Sequence, residues 1–279
     1  VTTRPLPPAP EPLPRPVTDA HTHLLSTQEF SGLAVADALA AARAVNVTRL
    51  VEVGVDVASS RAAVALSETH PEVVANIAIH PNDAARLGVN LAGALAELEP
   101  LAAHPGVRGI GETGLDYFRT TDAAGRALQR ESFTWHIRLA QRTGATLVIH
   151  DRDAHDDVLA VLDEAGVPER VVMHCFSGDA AFAAECVARG AWLSFPGTLT
   201  FKPNEALREA ARAVPADRLL VETDAPYLTP MPFRGKPNSS YLLPLTVAFL
   251  AGVRGLGLGD CCDLVNDNAA AAFGGGWGA

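Results

Sequence analysis

The sequence predicts an α/β chain folded as a single-domain (β/α)8 TIM barrel, and three observations carry that expectation. Eight short apolar runs recur along the chain, and alanine-rich stretches with apolar residues at spacings of three and four lie between them. Strand followed by helix, repeated eight times, implies parallel strands with helices packed outside. At 279 residues the repeat has the length that closes into a barrel. A doubly wound open sheet would need a topological switch point and usually a glycine-rich phosphate loop after its first strand. Asp19-Ala20-His21-Thr22-His23 stands there instead.

Taken in order, Val1 to Pro16 carries seven prolines and reads as a flexible, polyproline-rich tail outside the fold. The expected strands are Val17–His21, Thr48–Val53, Val73–Ile79, Val107–Glu112, Ala145–His150, Arg170–His174, Ala191–Phe195 and Arg218–Glu222. Helical periodicity marks Ala34–Val45, Ser59–Thr69, Leu91–Ala103, Gly125–Arg142, Ala154–Ala165, Ala180–Arg189 and Glu205–Val214. Asp56, Asp122 and Asp179 stand where a side-chain oxygen would cap a helix start. The barrel domain is expected over 17–273, followed by a frayed glycine-rich tail over 274–279.

Composition narrows the function. The chain is 48% hydrophobic and 19% charged, with a formal net charge of -10 and a pI near 5.3. That balance excludes a tight, nonspecific nucleic-acid binder, which would carry a basic patch. It leaves room for an enzyme that grips a few nucleotides through a metal and local arginines. The four cysteines form no CxxC pair, so neither a zinc knuckle nor a disulfide framework is expected, and a reducing, cytoplasmic setting fits. No apolar run is long enough to span a bilayer and no signal-peptide pattern opens the sequence, so no membrane is expected as a partner.

The chemistry gathers at strand ends. His21 and His23 lie two apart on an extended segment, so they share a face and can share one metal ion. Divalent sites usually need three or more protein ligands. Further candidates end other strands: His80, Glu112, His150, His174 and Asp224. In a barrel these C-terminal ends converge on one face. The set His21, His23, Glu112, His150, His174 and Asp224 is too large for one tetrahedral ion. It fits two divalent ions a few ångströms apart. Glu112 would bridge, His21, His23 and Asp224 would complete one ion, and His150 and His174 the other. Mixed nitrogen and oxygen donors suit Zn, Mn, Ni or Fe and tolerate Mg poorly at the nitrogen-rich position.

The same residues sit in longer stretches. These are Asp19-Ala20-His21-Thr22-His23, Ile79-His80-Pro81-Asn82, Gly109-Ile110-Gly111-Glu112-Thr113-Gly114-Leu115-Asp116-Tyr117 and Val148-Ile149-His150-Asp151-Arg152-Asp153-Ala154. They continue with His174-Cys175-Phe176-Ser177-Gly178, Ser194-Phe195-Pro196-Gly197, Thr200-Phe201-Lys202, Glu222-Thr223-Asp224-Ala225-Pro226-Tyr227-Leu228 and Arg234-Gly235-Lys236. With them the chain resembles the TatD family of metal-dependent hydrolases, within the amidohydrolase-like barrels, from about Val17 to Phe273. The resemblance implies a divalent-metal centre and phosphodiester hydrolysis, commonly as a deoxyribonuclease working from the 3′ end. Carried over by position, it implies the same six metal ligands. The chain departs from the family pattern at Asn238-Ser239-Ser240, and it lacks the usual arginine before Phe273.

Asp224 is expected to orient the attacking water and accept its proton, with Glu112 as the shared carboxylate. Arg119, Arg152, Lys202, Arg234 and Lys236 lie just past strand ends and could hold phosphate, Arg152 and Arg234 foremost. His80 could contact substrate or serve the structure. Tyr117, Phe118 and Tyr227 could stack on a base or simply pack. Cys175 is expected on the face opposite His174, away from the chemistry. DNA, as single strands or 3′ ends, is the expected substrate, with no obligate protein partner. The competing reading is a C–N or C–O bond hydrolase on the same barrel. Many binuclear members of that group bridge their ions with a carbamylated lysine on strand four, where this chain has Glu112 and no lysine. A non-catalytic binder is the third class, and the complete ligand set weighs against it.

Overall fold

A computed structural model describes residues 5–277. Eight parallel strands pair in sequence order: β1 (Val17–Thr22), β2 (Val47–Val53), β3 (Val73–Ile77), β4 (Val107–Asp116), β5 (Thr146–Arg152), β6 (Val171–Met173), β7 (Trp192–Phe195) and β8 (Leu219–Val221). The seam between first and last strands closes just past β8. There the Asp224 amide donates to the His21 carbonyl at 3.0 Å and the His23 amide to the Ala225 carbonyl at 2.9 Å. The sheet is therefore the expected (β/α)8 barrel.

The helices are α1 (Leu24–Ser31), α2 (Val35–Ala44), α3 (Val57–Thr69), α4 (Pro81–Leu87), α5 (Leu91–Leu98) and α6 (Ala123–Thr143). They continue with α7 (His155–Ala165), α8 (Ala180–Ala188), α9 (Glu205–Ala213), α10 (Leu243–Arg254) and α11 (Leu258–Phe273). Asp56, Asp122 and Asp179 cap α3, α6 and α8, accepting from the amides of Ser59, Gly125 and Phe182. Pro100 lacks an amide proton, so the expected helix over 91–103 tightens after Leu98 into a 3-10 turn. Helices α1, α4, α10 and α11 lie outside the stretches that periodicity marked. The first two are short, and the last two follow a proline-rich loop past the last strand.

Side-chain alternation builds two apolar layers. Ile77, Leu147, Ile149, Met173, Leu193 and Val221 pack outward against the helices. Val51, Val53, Val74, Val148, Val172 and Leu220 form a separate cluster with Ala269, Ala272, Phe273 and Trp277. The C-terminal segment thus seals the barrel at the strands' N-terminal end. This leaves the opposite end for the site. The glycine-rich tail is not frayed as expected: Trp277 is 6% exposed and donates from Nε1 to the Gly274 carbonyl at 2.8 Å. Only its last residues, 278–279, lie outside the described ones.

The proline-rich segment is likewise not loose over its described part, 5–16. Leu13 is buried, its amide donates to the Val45 carbonyl at 3.2 Å, and its carbonyl accepts from Asn46 Nδ2 at 2.6 Å. The Tyr241 hydroxyl donates to the Pro7 carbonyl at 2.6 Å, and Arg15 pairs with Asp263. Prolines hold the chain extended and remove donors, so few groups remain to be satisfied by the surface beneath. Residues 1–4 of that expectation lie outside the described residues. Among the described residues no single helix is long and apolar enough to cross a membrane.

Candidate metal centre

Strand β4 sets the site. Its apolar run suggested an end at Glu112, yet it continues to Asp116, still paired with β5 through Arg152. Gly114 permits this: its φ is +132°, and a Cβ there would collide with the His150 carbonyl. The extension places Asp116 Oδ2 3.3 Å from His150 Nε2.

Glu112, almost wholly buried, stands at the centre. Its Oε1 lies 2.7 Å from His150 Nδ1, 3.1 Å from His174 Nε2 and 3.4 Å from His80 Nε2. Its Oε2 lies 3.5 Å from His21 Nε2 and 4.0 Å from His23 Nε2. Asp224 Oδ1 closes the other side, 3.5 Å from His23 Nε2 and 3.9 Å from His21 Nε2. The His21 and His174 rings stack with centroids 3.6 Å apart. All six residues expected as ligands therefore meet in one cluster.

Among the described residues four overlapping triads have ligand atoms close enough to hold an ion: His21–His23–Glu112, His21–His174–Asp224, His80–Glu112–His150 and His174–Cys175–Glu222. Glu112 belongs to two of them, on opposite sides. The donor set fits a divalent cation. Both ring nitrogens of His21 are buried without a hydrogen-bond partner, a costly arrangement that a cation at Nε2 would relieve.

Outer partners fix the rings. His23 donates from Nδ1 to the Val53 carbonyl at 3.0 Å. His174 Nδ1 lies 3.0 Å from Glu222 Oε1, which also accepts from the Cys175 amide at 2.8 Å. His150 Nε2 lies 3.3 Å from Asp116 Oδ2, which accepts from Asn82 Nδ2 at 2.9 Å.

The charges answer one another. Burial alone would push the Glu112 carboxyl up, but His174, His80 and His150 hold it well below the usual carboxylate range. Burial likewise opposes ionisation of Asp224, and the His23 hydrogen bond overrides it. Burial would lower His23 and His150, yet their carboxylate partners raise each to about 9. His21 is pushed down, first by burial and then by the charge of His174. Lone pairs that hold protons this tightly are also strong metal donors, and a divalent cation competes with protons for them.

The cluster floors an open cavity of about 760 Å³. Arg119, Arg152 and His80 line it, as expected of substrate contacts. Lys202, Arg234 and Lys236 do not: they are exposed outside its wall, and the Arg234 guanidinium lies over the Phe201 ring, 4.4 Å from its centroid. Tyr117 turns toward α6 and α7, donating to Asp157 Oδ2 at 2.6 Å beneath Arg126. Phe118 and Tyr227 are both more than half exposed, and Arg152 covers one face of Phe118 at 3.9 Å.

Cys175 was expected to face away, but β6 ends at Met173, so strand alternation does not reach it. A left-handed turn (φ +46°) brings it to the cavity wall. Burial and then the neighbouring carboxylates push its thiol well above its usual value, which suits a spectator rather than a nucleophile. Sequence reasoning missed Asp116, Asn82, Glu222, Arg86 and Asn204. The first three stand inside the stretches quoted above, whereas Arg86 and Asn204, which line the cavity, carried no such signal.

The sequence model of TatD-related DNases matches residues 18–274. A Mycobacterium tuberculosis protein named as a metal-dependent hydrolase, TatD, is 44% identical over 264 residues, covering 94% of this chain and 99% of its own length. The Bacillus subtilis metal-dependent hydrolase YabD is 36% identical over 257 residues, 91% of this chain and 98% of its own. The crystal structure of YjjV, a TatD homolog from Escherichia coli, superposes with a TM-score of 0.85 at 25% identity, covering 93% of this chain and 98% of that one. With one carboxylate ringed by five imidazoles at the open end of a closed barrel, the chain belongs to the TatD-related DNase family of metal-dependent hydrolases.

Proposed function

We propose that this chain is a deoxyribonuclease that hydrolyses phosphodiester bonds from the 3′ end of DNA, using two divalent cations. The observation that carries the reading is Glu112, whose two oxygens face different sets of imidazoles. His21, His23 and Asp224 would hold one cation with Glu112, and His150 and His174 the other. Bound there, such cations supply Lewis acidity, which generates hydroxide near neutral pH and offsets charge on a phosphoryl group.

The protein's own groups do the rest. Asp224, at the cavity wall, orients the attacking water and takes its proton. Arg119 and Arg152 face the same space and neutralise phosphate oxygens with charge-assisted hydrogen bonds. Tyr227 and Phe118 offer exposed ring faces at the mouth on which an unpaired base can stack. The net charge of -10 suits this economy, because substrate is held at a few contacts rather than along a basic surface.

The test is digestion of 3′- and 5′-labelled single-stranded oligonucleotides. Protein stripped by chelator is reloaded with Mn, Zn, Mg, Ni or Fe, and amides and lactones are assayed beside the DNA. Metal-dependent release of mononucleotides from the 3′ end is expected. Turnover of an amide or lactone with intact DNA would replace this reading by the C–N or C–O hydrolase.

A further inference from the structure

The ring of His80 sits among metal ligands, 3.4 Å from Glu112 Oε1 and with its centroid 4.7 Å from that of His150. By position alone it groups with Glu112 and His150 as a third ligand. Its hydrogen bonds say otherwise. The Asn82 amide donates to His80 Nδ1 at 3.1 Å. A backbone amide can only donate, so Nδ1 must keep its lone pair and the ring proton resides on Nε2.

The other rings are set the opposite way. The outer nitrogen of His23 meets a carbonyl oxygen, that of His174 the Glu222 carboxylate, and that of His150 the Asp116 carboxylate. Carbonyls and carboxylates accept, so those outer nitrogens can keep a proton when a cation displaces the one on the inner nitrogen. One tripeptide links both settings. The Asn82 backbone fixes His80, and the Asn82 side chain holds the Asp116 oxygen that faces His150.

We infer that His80 is not a metal ligand but a fixed N–H donor. Its Nε2–H stands at the cavity wall, 3.4 Å from Glu112 Oε1, and there binds a phosphoryl oxygen of the substrate. The tautomer follows from the Asn82 contact alone. The role toward phosphate rests on the phosphodiesterase reading. A donor locked in place needs no rearrangement when charge builds on that oxygen, which is where such a contact is most effective.

The experiment has three arms. First, ring nitrogen shifts of His80 are recorded by NMR on chelator-treated and Zn-loaded protein. A protonated, pyrrole-like Nε2 in both states is expected, while nitrogens of the six-residue cluster shift on loading. Second, bound metal is counted in His80→Asn and His80→Gln. The first keeps a cap for the Asn82 amide and loses the cavity donor; the second carries a donor near the place of Nε2. Both should match wild type.

Third, inorganic phosphate affinity of the metal-loaded proteins is measured. A loss of about tenfold or more is expected in His80→Asn, partly restored in His80→Gln. An unprotonated, metal-shifted Nε2, or loss of an ion from His80→Asn at wild-type fold, overturns the inference. Unchanged phosphate affinity overturns the substrate role. If the wild type fails to cleave DNA, the nuclease reading falls, while the ring shifts and phosphate binding still decide the case of His80.

Discussion

The Asp19 carboxylate receives both donors of Thr223, a residue 204 positions away: the amide at 2.9 Å and the hydroxyl at 2.6 Å. The pair ties β1 to the turn after β8, and so fixes Asp224, which follows in a left-handed conformation (φ +52°). Burial pushes the Asp19 carboxyl up to about 7, against the pull of the Thr223 bonds. At neutral pH it therefore spends part of its time as the neutral acid, which asparagine imitates. Asp19→Asn is expected to cost about 1 kcal/mol, and Asp19→Ala about 3 kcal/mol because two buried donors lose their acceptor. Urea unfolding reads the difference. Equal losses in the two variants would mean that shape, not hydrogen bonding, holds this seam.

Glu112→Ala should lower bound metal by at least one ion per chain and reduce turnover on the order of 10³-fold or more, with an unchanged circular dichroism spectrum. Among the described residues Glu112 is the only carboxylate within 4.0 Å of imidazoles on both sides, His21 and His23 on one and His150 and His174 on the other. Metal analysis paired with the oligonucleotide assay checks this. Wild-type metal content in the variant would remove the shared-carboxylate arrangement.

The two arginines favoured by sequence part company in the structure. Arg152 lines the cavity, whereas Arg234 lies over Phe201 outside it. Replacing a cation that binds phosphate directly costs about ten- to a hundredfold. That loss in kcat/KM is expected for Arg152→Ala, with Arg152→Lys intermediate because lysine lacks the planar fork. Arg234→Ala should stay within about threefold. The reverse ranking would show that the loop carrying Arg234 folds over the substrate.

The metal cluster was legible because a parallel barrel turns one-dimensional information into geometry. Whatever ends a strand must face the same rim, so His21, Glu112, His150 and His174 could be gathered without coordinates. That logic stops where strands stop. Cys175 lies past β6, and a left-handed turn carries it back to the cavity. Asp116 lies four residues beyond the apolar run of β4, on an extension that depends on Gly114. Loop cations were least legible, since no periodicity tells which way Lys202, Arg234 or Lys236 turns. The two termini misled for a related reason. Prolines and glycines signal missing regular structure, and Leu13 and Trp277 dock without any.

Acid should weaken the fold through a histidine outside the metal cluster. His136 is fully buried; it accepts from the Ile79 amide at Nε2 (3.1 Å) and donates from Nδ1 to the Ser132 carbonyl (2.7 Å). Burial lowers it from 6.5 to about 4, against the pull of the Ser132 carbonyl. Between those values the unfolded chain binds the extra proton. Stability from this group is complete above about pH 6.5 and falls as pH drops toward 4, by up to about 3 kcal/mol. His136→Gln should start less stable at pH 8 but lose less on going to pH 5. Parallel acid sensitivity in both proteins would assign the effect elsewhere.

Trp277 tests whether the sealed end of the barrel is part of the fold or an ornament on it. Its ring belongs to one buried cluster with Phe273, Ala272 and the inward valines Val51, Val53 and Val148, and the Arg49 guanidinium lies 5.7 Å from its centroid. Truncating a buried aromatic side chain removes its contacts and leaves a void that the surrounding strands can only partly fill. Trp277→Ala is therefore expected to cost about 3 kcal/mol, with Trp277→Phe at less than half of that. The site lies at the other end of the strands, so metal content and kcat should hold at temperatures where the variant is folded. Unfolding curves and metal analysis on the same samples separate the two effects. A stability change under about 0.5 kcal/mol would mean the last turn merely rests on the barrel. Loss of metal from a folded variant would mean that packing at the sealed end sets the spacing of the strand ends at the open one.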